Sequence, residues 1–162
     1  MQMAPMDTVS TETRSRMMAA VKGKDTKPEI LVRRTLHRLG FRFRLQARDL
    51  PGRPDIVLPR HRLAVFVNGC FWHGHDCPAF RLPSTRTGFW AEKIGRNRDR
   101  DARSAASLEA AGWRVLVVWE CVLTGKRRLP PERLAEALAE AVAGGGRSTT
   151  ISGCPMPDPT PS

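Results

Sequence analysis

The stretch LPGRPDIVLPRHRLAVFVNGCFWHGHDC, residues 50–77, contains the pattern that decides the fold. Two short apolar runs, DIVL at 55–58 and LAVFV at 63–67, are separated by the polar segment PRHR. Short apolar runs bounded by turn residues are typical of buried strands, and the short connection between them indicates a β-hairpin. Asp55 opens the first of these strands after a turn rich in Gly and Pro, so its side chain is expected at the end of the sheet.

The sequence before this hairpin predicts a helix followed by a strand. Segment 25–40 has a capping residue at its start, Pro28 in its first turn and Gly40 as a stop, which together predict a helix. FRFRL, residues 41–45, alternates apolar and basic residues as a half-buried strand does. Residues 13–21 are typical of a short basic helix.

The sequence after the hairpin predicts two helices and a strand. A long helix is expected over about 88–111, a buried strand over 113–120 and an amphipathic helix over 131–144. The order of helix, three strands, helix, strand and helix predicts an α/β fold with a mixed central sheet flanked by helices.

The length of the chain favours one domain. Its 162 residues can build a single core but not two comfortable ones. The ends, 1–12 and 144–162, are polar or rich in Gly, Ser and Pro, so both are expected to be disordered around a domain at 13–143. Neither a membrane-spanning apolar run nor an export signal is visible, so we expect a cytoplasmic protein without membrane association.

The charge of the chain points to a polyanionic partner. Lys and Arg number 27 against 16 Asp and Glu, which gives a net charge of +11. Such a surplus favours nucleic acid, through neutralisation of phosphates and release of counterions. The alternative is an Arg-rich protein without this partner, because net charge alone speaks only to non-specific binding.

Three Cys and one His are candidate metal ligands. Cys70, His75 and Cys77 lie within one predicted loop, and Cys121 follows a predicted buried strand. Thiolates with an imidazole suit tetrahedral zinc, and four such ligands leave no position for water, so the zinc would be structural. Unligated reduced thiols are the alternative, and His73 could replace His75 as a ligand.

Polar residues fall on helix faces that are otherwise apolar. Glu29 shares the inward stripe of its helix with apolar residues, and Asn97 and Asp101 do so on the long helix. A buried carboxylate is costly unless it is paired, hydrogen-bonded or close to a metal. The alternative for Glu29 and Asp101 is a position at the rim, paired with an Arg.

The loop between the candidate ligands has residues suited to DNA chemistry. If zinc takes His75, His73 can point toward Asp55 and serve in general acid–base catalysis on a phosphodiester. Phe71 and Trp72 could insert between base pairs as an aromatic wedge, or could simply pack in the core.

Four motifs together resemble the very-short-patch-repair (Vsr) endonucleases. They are LPGRPDIV, GCFWHGHDC, TRTGFWAEKIGRN and GWRVLVVWEC, and the resemblance runs from about Thr13 to about Ala143. It implies a bacterial enzyme with a restriction-endonuclease-like core and a structural zinc site. The implied reaction is Mg²⁺-dependent nicking of double-stranded DNA next to the T of a T·G mismatch, left by deamination of 5-methylcytosine.

The resemblance also implies roles for individual residues. Asp55 and the backbone carbonyl of Val67 match the Mg²⁺ contacts, His73 the catalytic His, and Glu29 the carboxylate that holds a metal-bound water. The matches to the zinc ligands are Cys70, His75, Cys77 and Cys121. The matches to the DNA contacts are Met18 at the minor groove, the intercalating Phe71, Trp72 and Trp90, and Lys93 at the mismatch.

One departure from the family pattern leaves alternatives open. The best-known members have Thr-His where this chain has Val67-Asn68, so a second active-site His is missing. The alternatives are a nicking endonuclease triggered by a modified base or a restriction site, and a zinc-clipped DNA-binding protein whose active site has lapsed. For the main hypothesis we expect a monomer that works with other mismatch-repair proteins.

Overall fold

The chain forms a mixed sheet with helices on both faces. The computed structural model describes residues 25–77 and 80–153. In chain order the elements are α1 (Lys27–Arg38), β1 (Arg44–Leu45), β2 (Ile56–Leu58), β3 (Leu63–Asn68), α2 (Thr87–Ala110), β4 (Arg114–Trp119), α3 (Pro131–Ala143) and β5 (Thr149–Ile151). The expected α/β class and element order are confirmed. The helix predicted at 13–21 lies outside the described residues.

The five strands lie in the order β1–β2–β3–β4–β5. β2 and β3 form the predicted antiparallel hairpin, with Ile56 opposite Val65. β3 and β4 are parallel, with Asn68 opposite Trp119, and α2 forms the crossover between them. Because parallel strands end at the same edge of a sheet, the loops after Asn68 and after Trp119 emerge side by side. This edge carries the candidate site.

The helices cover the two faces of the sheet with separate cores. On one face α1 and α3 pack against the sheet through buried apolar residues that include Val32, Leu36, Ile56, Val65, Leu116, Leu134 and Leu138. On the other face α2 packs through Leu108 against Ala64 and Val115. Fully burying such a side chain contributes about 1.5–3 kcal/mol, so both helix layers are fixed to the sheet. Among the described residues no helix is long and apolar enough to cross a bilayer.

The end of the described chain differs from the sequence expectation. Residues 144–162 were expected to be disordered, but β5 lies within that range and pairs in parallel with β4. Two contacts fix this segment: the Ser148 hydroxyl accepts a bond from the Val115 N–H at 3.0 Å, and Ile151 packs against the core. Paired strand structure therefore continues to Ile151. Residues 154–162 are outside the described part of the chain.

Candidate active site and metal centre

A cleft of about 520 Å³ opens at the sheet edge where β3 ends. Its walls come from α1, the turn before β2, the end of β3, the loop after β3 and α2. The residues predicted from sequence that line it are Glu29, Asp55, Val67, Asn68, Trp72, His73 and Asp101. Residues separated by up to 72 positions are thus brought into one space.

Asp55 lines this cleft and lies directly before β2. Its Oδ2 accepts a hydrogen bond of 2.8 Å from the Val67 N–H, which ties it to the end of β3. Burial raises the pKa of Asp55 to about 6, and the nearby charge of Glu29 adds to the rise. The Val67 hydrogen bond and the charge of His73 act in the opposite direction. A carboxylate with a raised pKa in a cleft is typical of a functional site.

Glu29 lies in the first turn of α1 and is buried, as its place on the apolar stripe predicts. Its Oε2 accepts a bond from the Asp25 N–H at 3.0 Å and lies 3.3 Å from the Arg33 guanidinium. Burial nevertheless raises the pKa of Glu29, because these partners offset only part of the desolvation. Glu29 is therefore buried rather than placed at the rim, but it does have the Arg partner that the alternative interpretation expected.

His73 and Asp101 form a hydrogen-bonded pair across the cleft. His73 Nδ1 lies 2.5 Å from Asp101 Oδ2, which joins the loop after β3 to the middle of α2. The expected Arg partner of Asp101 is thus replaced by a His. Asn97, one turn earlier on α2, donates a hydrogen bond of 2.9 Å to the Trp72 carbonyl. The two polar residues on the inward face of α2 therefore hold the loop that carries Trp72 and His73.

The cleft also contains residues that the sequence analysis did not single out. Arg53, Arg100, Ser104 and Glu120 line its walls. Arg53 could have been found, because it lies in the turn that presents Asp55. Arg100 and Ser104 could not have been found from sequence, because their place in the cleft wall depends on how α2 crosses the sheet.

Replacing Asp55 by Asn is expected to stabilise the protein above pH 6 in buffer without added divalent cations. Asn can still accept the Val67 hydrogen bond but removes a buried charge. A pKa raised from 3.8 to about 6 corresponds to about 3 kcal/mol. The folded protein binds the proton of the Asp55 carboxyl more tightly than the unfolded chain does. The stabilisation of the Asn variant over wild type is therefore full above pH 6, shrinks as pH falls through about 6, and vanishes below about 4. Denaturant unfolding at about pH 8 and about pH 4 measures it. Equal free energies of unfolding for wild type and Asp55→Asn at about pH 8 would contradict the prediction.

The second cluster at this edge has the donor set of a metal centre. Ligand atoms of Cys70, His75, Cys77 and Cys121 all lie within 4.8 Å of one another. His75 Nδ1 is 3.5 Å from the Cys70 Sγ and 3.8 Å from the Cys121 Sγ. All three cysteines are buried, and none of them forms a disulfide. Burial also raises the pKa of Cys70, so a thiolate there needs a cation beside it. Three sulfurs and one imidazole at these separations fit a tetrahedral metal ion.

The two His residues of the loop separate as the sequence analysis preferred. His75 faces the cysteines, whereas His73 faces the cleft. They are two residues apart, and Gly74 between them has a positive φ of 62°. A Cβ at that glycine would lie 2.7 Å from Ile94 Cγ2, so both backbone shape and space favour Gly there. Cys154 is outside the described residues.

An aromatic cluster lies beside the cleft. The rings of Phe71, Trp72 and Trp90 contact one another edge to face, with centroids 5.2–6.0 Å apart. Lys93 Nζ lies 5.5 Å from the Trp72 ring centroid and 5.6 Å from that of Trp90. Trp90 is only 5% exposed, so it packs in the free protein, whereas Phe71 and Trp72 are half-buried. Phe89, which is 41% exposed, extends this surface and was missed from the sequence. Met18 is outside the described residues.

Comparison with known proteins agrees with this geometry. Residues 6–79 match the family model described as DNA mismatch endonuclease Vsr. The chain is 48% identical over 139 residues to the DNA mismatch endonuclease Vsr of Escherichia coli (strain K12), covering 86% of this chain and 89% of that one. It is 53% identical over 118 residues to the type II nicking enzyme V.XorIIP of Xanthomonas oryzae pv. oryzae, covering 73% and 87%. It is 43% identical over 138 residues to the type II nicking enzyme V.NmeAIP of Neisseria meningitidis serogroup A, covering 84% and 99%.

These likenesses extend over most of both chains, and the family match includes Glu29, Asp55, His73 and three of the four candidate metal ligands. A nuclease of this kind acts on DNA, which agrees with the net charge of +11. The chain therefore belongs to the Vsr DNA mismatch endonuclease family, and it is a nicking endonuclease that hydrolyses phosphodiester bonds.

Proposed function

We propose that this enzyme nicks one strand of duplex DNA next to the T of a T·G mismatch, in a Mg²⁺-dependent hydrolysis. The observation that carries the proposal is the cleft shared by Asp55, Glu29 and the His73–Asp101 pair, with the aromatic cluster beside it. The cleft supplies the groups for hydrolysis, and the aromatic cluster supplies a surface that can stack on an opened base step.

Asp55 is the proposed Mg²⁺ ligand, together with the backbone carbonyl of Val67. Both residues line the cleft, and the bond from the Val67 N–H to Asp55 fixes the carboxylate against β3. Mg²⁺ bound there would polarise the scissile phosphate, lower the pKa of water and stabilise the leaving oxygen. Glu29 would orient the attacking water. Its hydrogen bond from the Asp25 N–H and its ion pair with Arg33 keep its carboxylate in place.

His73 is the proposed proton-transfer residue. Its Nδ1 is bonded to Asp101, so Nε2 is the nitrogen left to exchange a proton with the substrate or with water. The Asp101 carboxylate orients the ring through this contact. Asn68, at the end of β3, also lines the cleft, but an amide can only bind and orient. In our proposal proton transfer therefore rests on His73 alone.

Zinc is the proposed occupant of the cysteine cluster, in a structural role. Four ligands from two segments would fasten the loop after β3 to the end of β4. Phe71, Trp72 and His73 lie between the first two ligands of that loop. Zinc would thus hold both the aromatic cluster and the catalytic His at the mouth of the cleft without taking part in the reaction.

Recognition of a mismatch is proposed to depend on the aromatic cluster. A weakly paired step is cheaper to unstack than a matched one, so a wedge gains most at a mismatch. Phe71, Trp72 and Trp90 are the proposed stacking residues, and Lys93 the proposed mismatch contact. Lys93 lies above the rings, where its charge can meet both a phosphate and the base edges.

Trp72→Ala is expected to weaken binding to a T·G duplex by roughly ten- to a hundred-fold, because stacking on a base contributes about 1–3 kcal/mol. Binding to the matched T·A duplex should fall less, since phosphate contacts dominate there. Trp113→Ala is the matched control: Trp113 packs under Arg62, outside the residues that line the cleft. It should leave the ratio of the two affinities unchanged. Equal losses on both duplexes for Trp72→Ala would make this residue a packing residue only.

A nicking enzyme with a different trigger is the second candidate function. It is favoured by the relatives named as type II nicking enzymes. The deciding experiment is a nicking assay over duplexes that contain T·G, T·A, or C·G with a modified cytosine, each in several flanking sequences. Nicking of T·G alone would support the mismatch proposal. Nicking of matched or modified duplexes at an equal rate would overturn it.

A further inference from the structure

The imidazole of His75 is held from three directions within the metal cluster. One face stacks on Trp119, with ring centroids 4.1 Å apart and the planes 8° from parallel. Its Nδ1 faces the sulfurs of Cys70 and Cys121. Its other nitrogen, Nε2, lies 3.1 Å from the Ser152 hydroxyl oxygen. The ring therefore has a defined contact at each nitrogen.

These contacts assign the proton of the neutral ring. A neutral imidazole has one N–H donor and one nitrogen lone pair. Nδ1 faces the cysteine sulfurs and must offer its lone pair to a metal, so the proton belongs on Nε2. There the Ser152 hydroxyl oxygen can accept it. Histidines that bind metals almost always donate their second N–H in this way, and the partner fixes both tautomer and ring orientation.

Ser152 reaches the cluster because of the sheet topology. β5 pairs in parallel with β4, with Ile151 beside Val118. The residues after both strands therefore leave the sheet at the same edge, which puts Ser152 next to the turn that contains Cys121. The following residue is also close: a Cβ at Gly153 would lie 3.6 Å from the Cys121 Sγ. The pairing of β5 with β4 thus places the Ser152 side chain beside the metal centre.

We infer that Ser152 is a positioning residue of the metal centre, which accepts the Nε2–H bond of His75 and holds Nδ1 toward the cysteines. This inference rests on the proposed occupation of the cluster by zinc. It makes β5, a segment with the composition of a flexible tail, a functional part of the domain. Through His75 it also connects β5 to the loop that carries the proposed catalytic His73.

The test compares zinc affinity, by competition with a chromophoric chelator, in wild type, in four variants at Ser152 and Thr150, and in Cys121→Ala. Ser152→Ala and Ser152→Val remove the hydroxyl, and both should weaken zinc binding by about ten- to a hundred-fold. Ser152→Thr has the shape of Val but keeps the hydroxyl, so it should bind as wild type does. Thr150→Ala removes an exposed hydroxyl from the same strand and is the matched control. The visible spectrum of the Co²⁺-loaded protein should shift in the Ala and Val variants only.

The outcomes separate this inference from the proposal on which it rests. If Cys121→Ala binds zinc as tightly as wild type, the metal centre itself is wrong. If Cys121→Ala loses zinc while the Ala and Val variants keep wild-type affinity and Co²⁺ spectra, only the role of Ser152 is overturned. Equal weakening in the Thr and Val variants also overturns it, because shape rather than the hydroxyl would then matter.

Discussion

Asp55→Ala is expected to abolish Mg²⁺-dependent nicking while binding to a T·G duplex survives. Lewis-acid stabilisation by a metal is worth several kcal/mol, and each 1.4 kcal/mol is about tenfold in rate. Loss of the proposed Mg²⁺ ligand should therefore slow single-turnover nicking by roughly a thousandfold or more. Binding should hold or tighten, since a negative charge beside the bound phosphate disappears. The measurement pairs duplex affinity with single-turnover nicking at one salt concentration.

The control for this variant is Asp49→Ala. Asp49 is also an aspartate of the segment before β2, but its side chain is 63% exposed, pairs only weakly with Arg44 and is absent from the cleft lining. It should nick at the wild-type rate. A near wild-type rate for Asp55→Ala would show that the metal lies elsewhere and that the catalytic proposal fails. Loss of binding as well as nicking would assign Asp55 to structure rather than to chemistry.

Some site residues can be predicted because simple local patterns fix their positions. Asp55 is one, since it lies in a turn directly before a strand. The position of the Cys70 loop depends in addition on the parallel pairing of β3 and β4. Cys70 and Cys121 are far apart in sequence, but each lies two residues after the end of its strand. Parallel pairing brings such positions together in any fold of this class. The metal cluster could therefore be proposed from the Cys and His spacing and the predicted strand before Cys121, and the parallel pairing of β3 and β4 brings its two segments together.

The His73–Asp101 pair lay beyond such rules. Periodicity predicted that Asp101 faces inward on α2, but not which partner it would meet. The answer depends on how α2 crosses the sheet and how the loop before it is folded. Those are set by tertiary contacts such as the bond from Asn97 to the Trp72 carbonyl. Because the chain has so many Arg residues, an Arg partner for Asp101 was a reasonable expectation, but its partner in the structure is His73.

β5 was missed for a different reason. Thr149–Ile151 is only three residues long and lies among Gly, Ser and Pro, so composition outweighed its β-branched residues. Its order comes from pairing with β4 and from packing of Ile151, which a local pattern does not contain. The contact between Ser152 and His75 Nε2 could not be predicted for the same reason, because Ser152 directly follows β5.

Cys121→Ala is expected to lose zinc and to lower the free energy of unfolding by at least about 4 kcal/mol, a size typical of the loss of a structural metal. In a domain of this length that corresponds to a drop in Tm of about 10 °C or more. The reason is that the four ligands come from two segments, so metal binding contributes directly to folding. Zinc content and thermal unfolding measure both effects. Cys154→Ala, which removes the cysteine outside the proposed ligand set, should change neither.

The two His residues of the loop complete this prediction, since they differ by two positions but face different sites. His75→Ala should behave like Cys121→Ala, with loss of zinc and of stability. His73→Ala should keep zinc and its Tm within a few degrees, because its ring bonds Asp101 rather than the cluster. It should nonetheless nick at least about a hundredfold more slowly, the usual contribution of general acid–base catalysis.

If His73→Ala lost zinc while His75→Ala kept it, the two assignments would be inverted. If Cys121→Ala kept zinc and full stability, the metal would not be what holds the loop at the cleft.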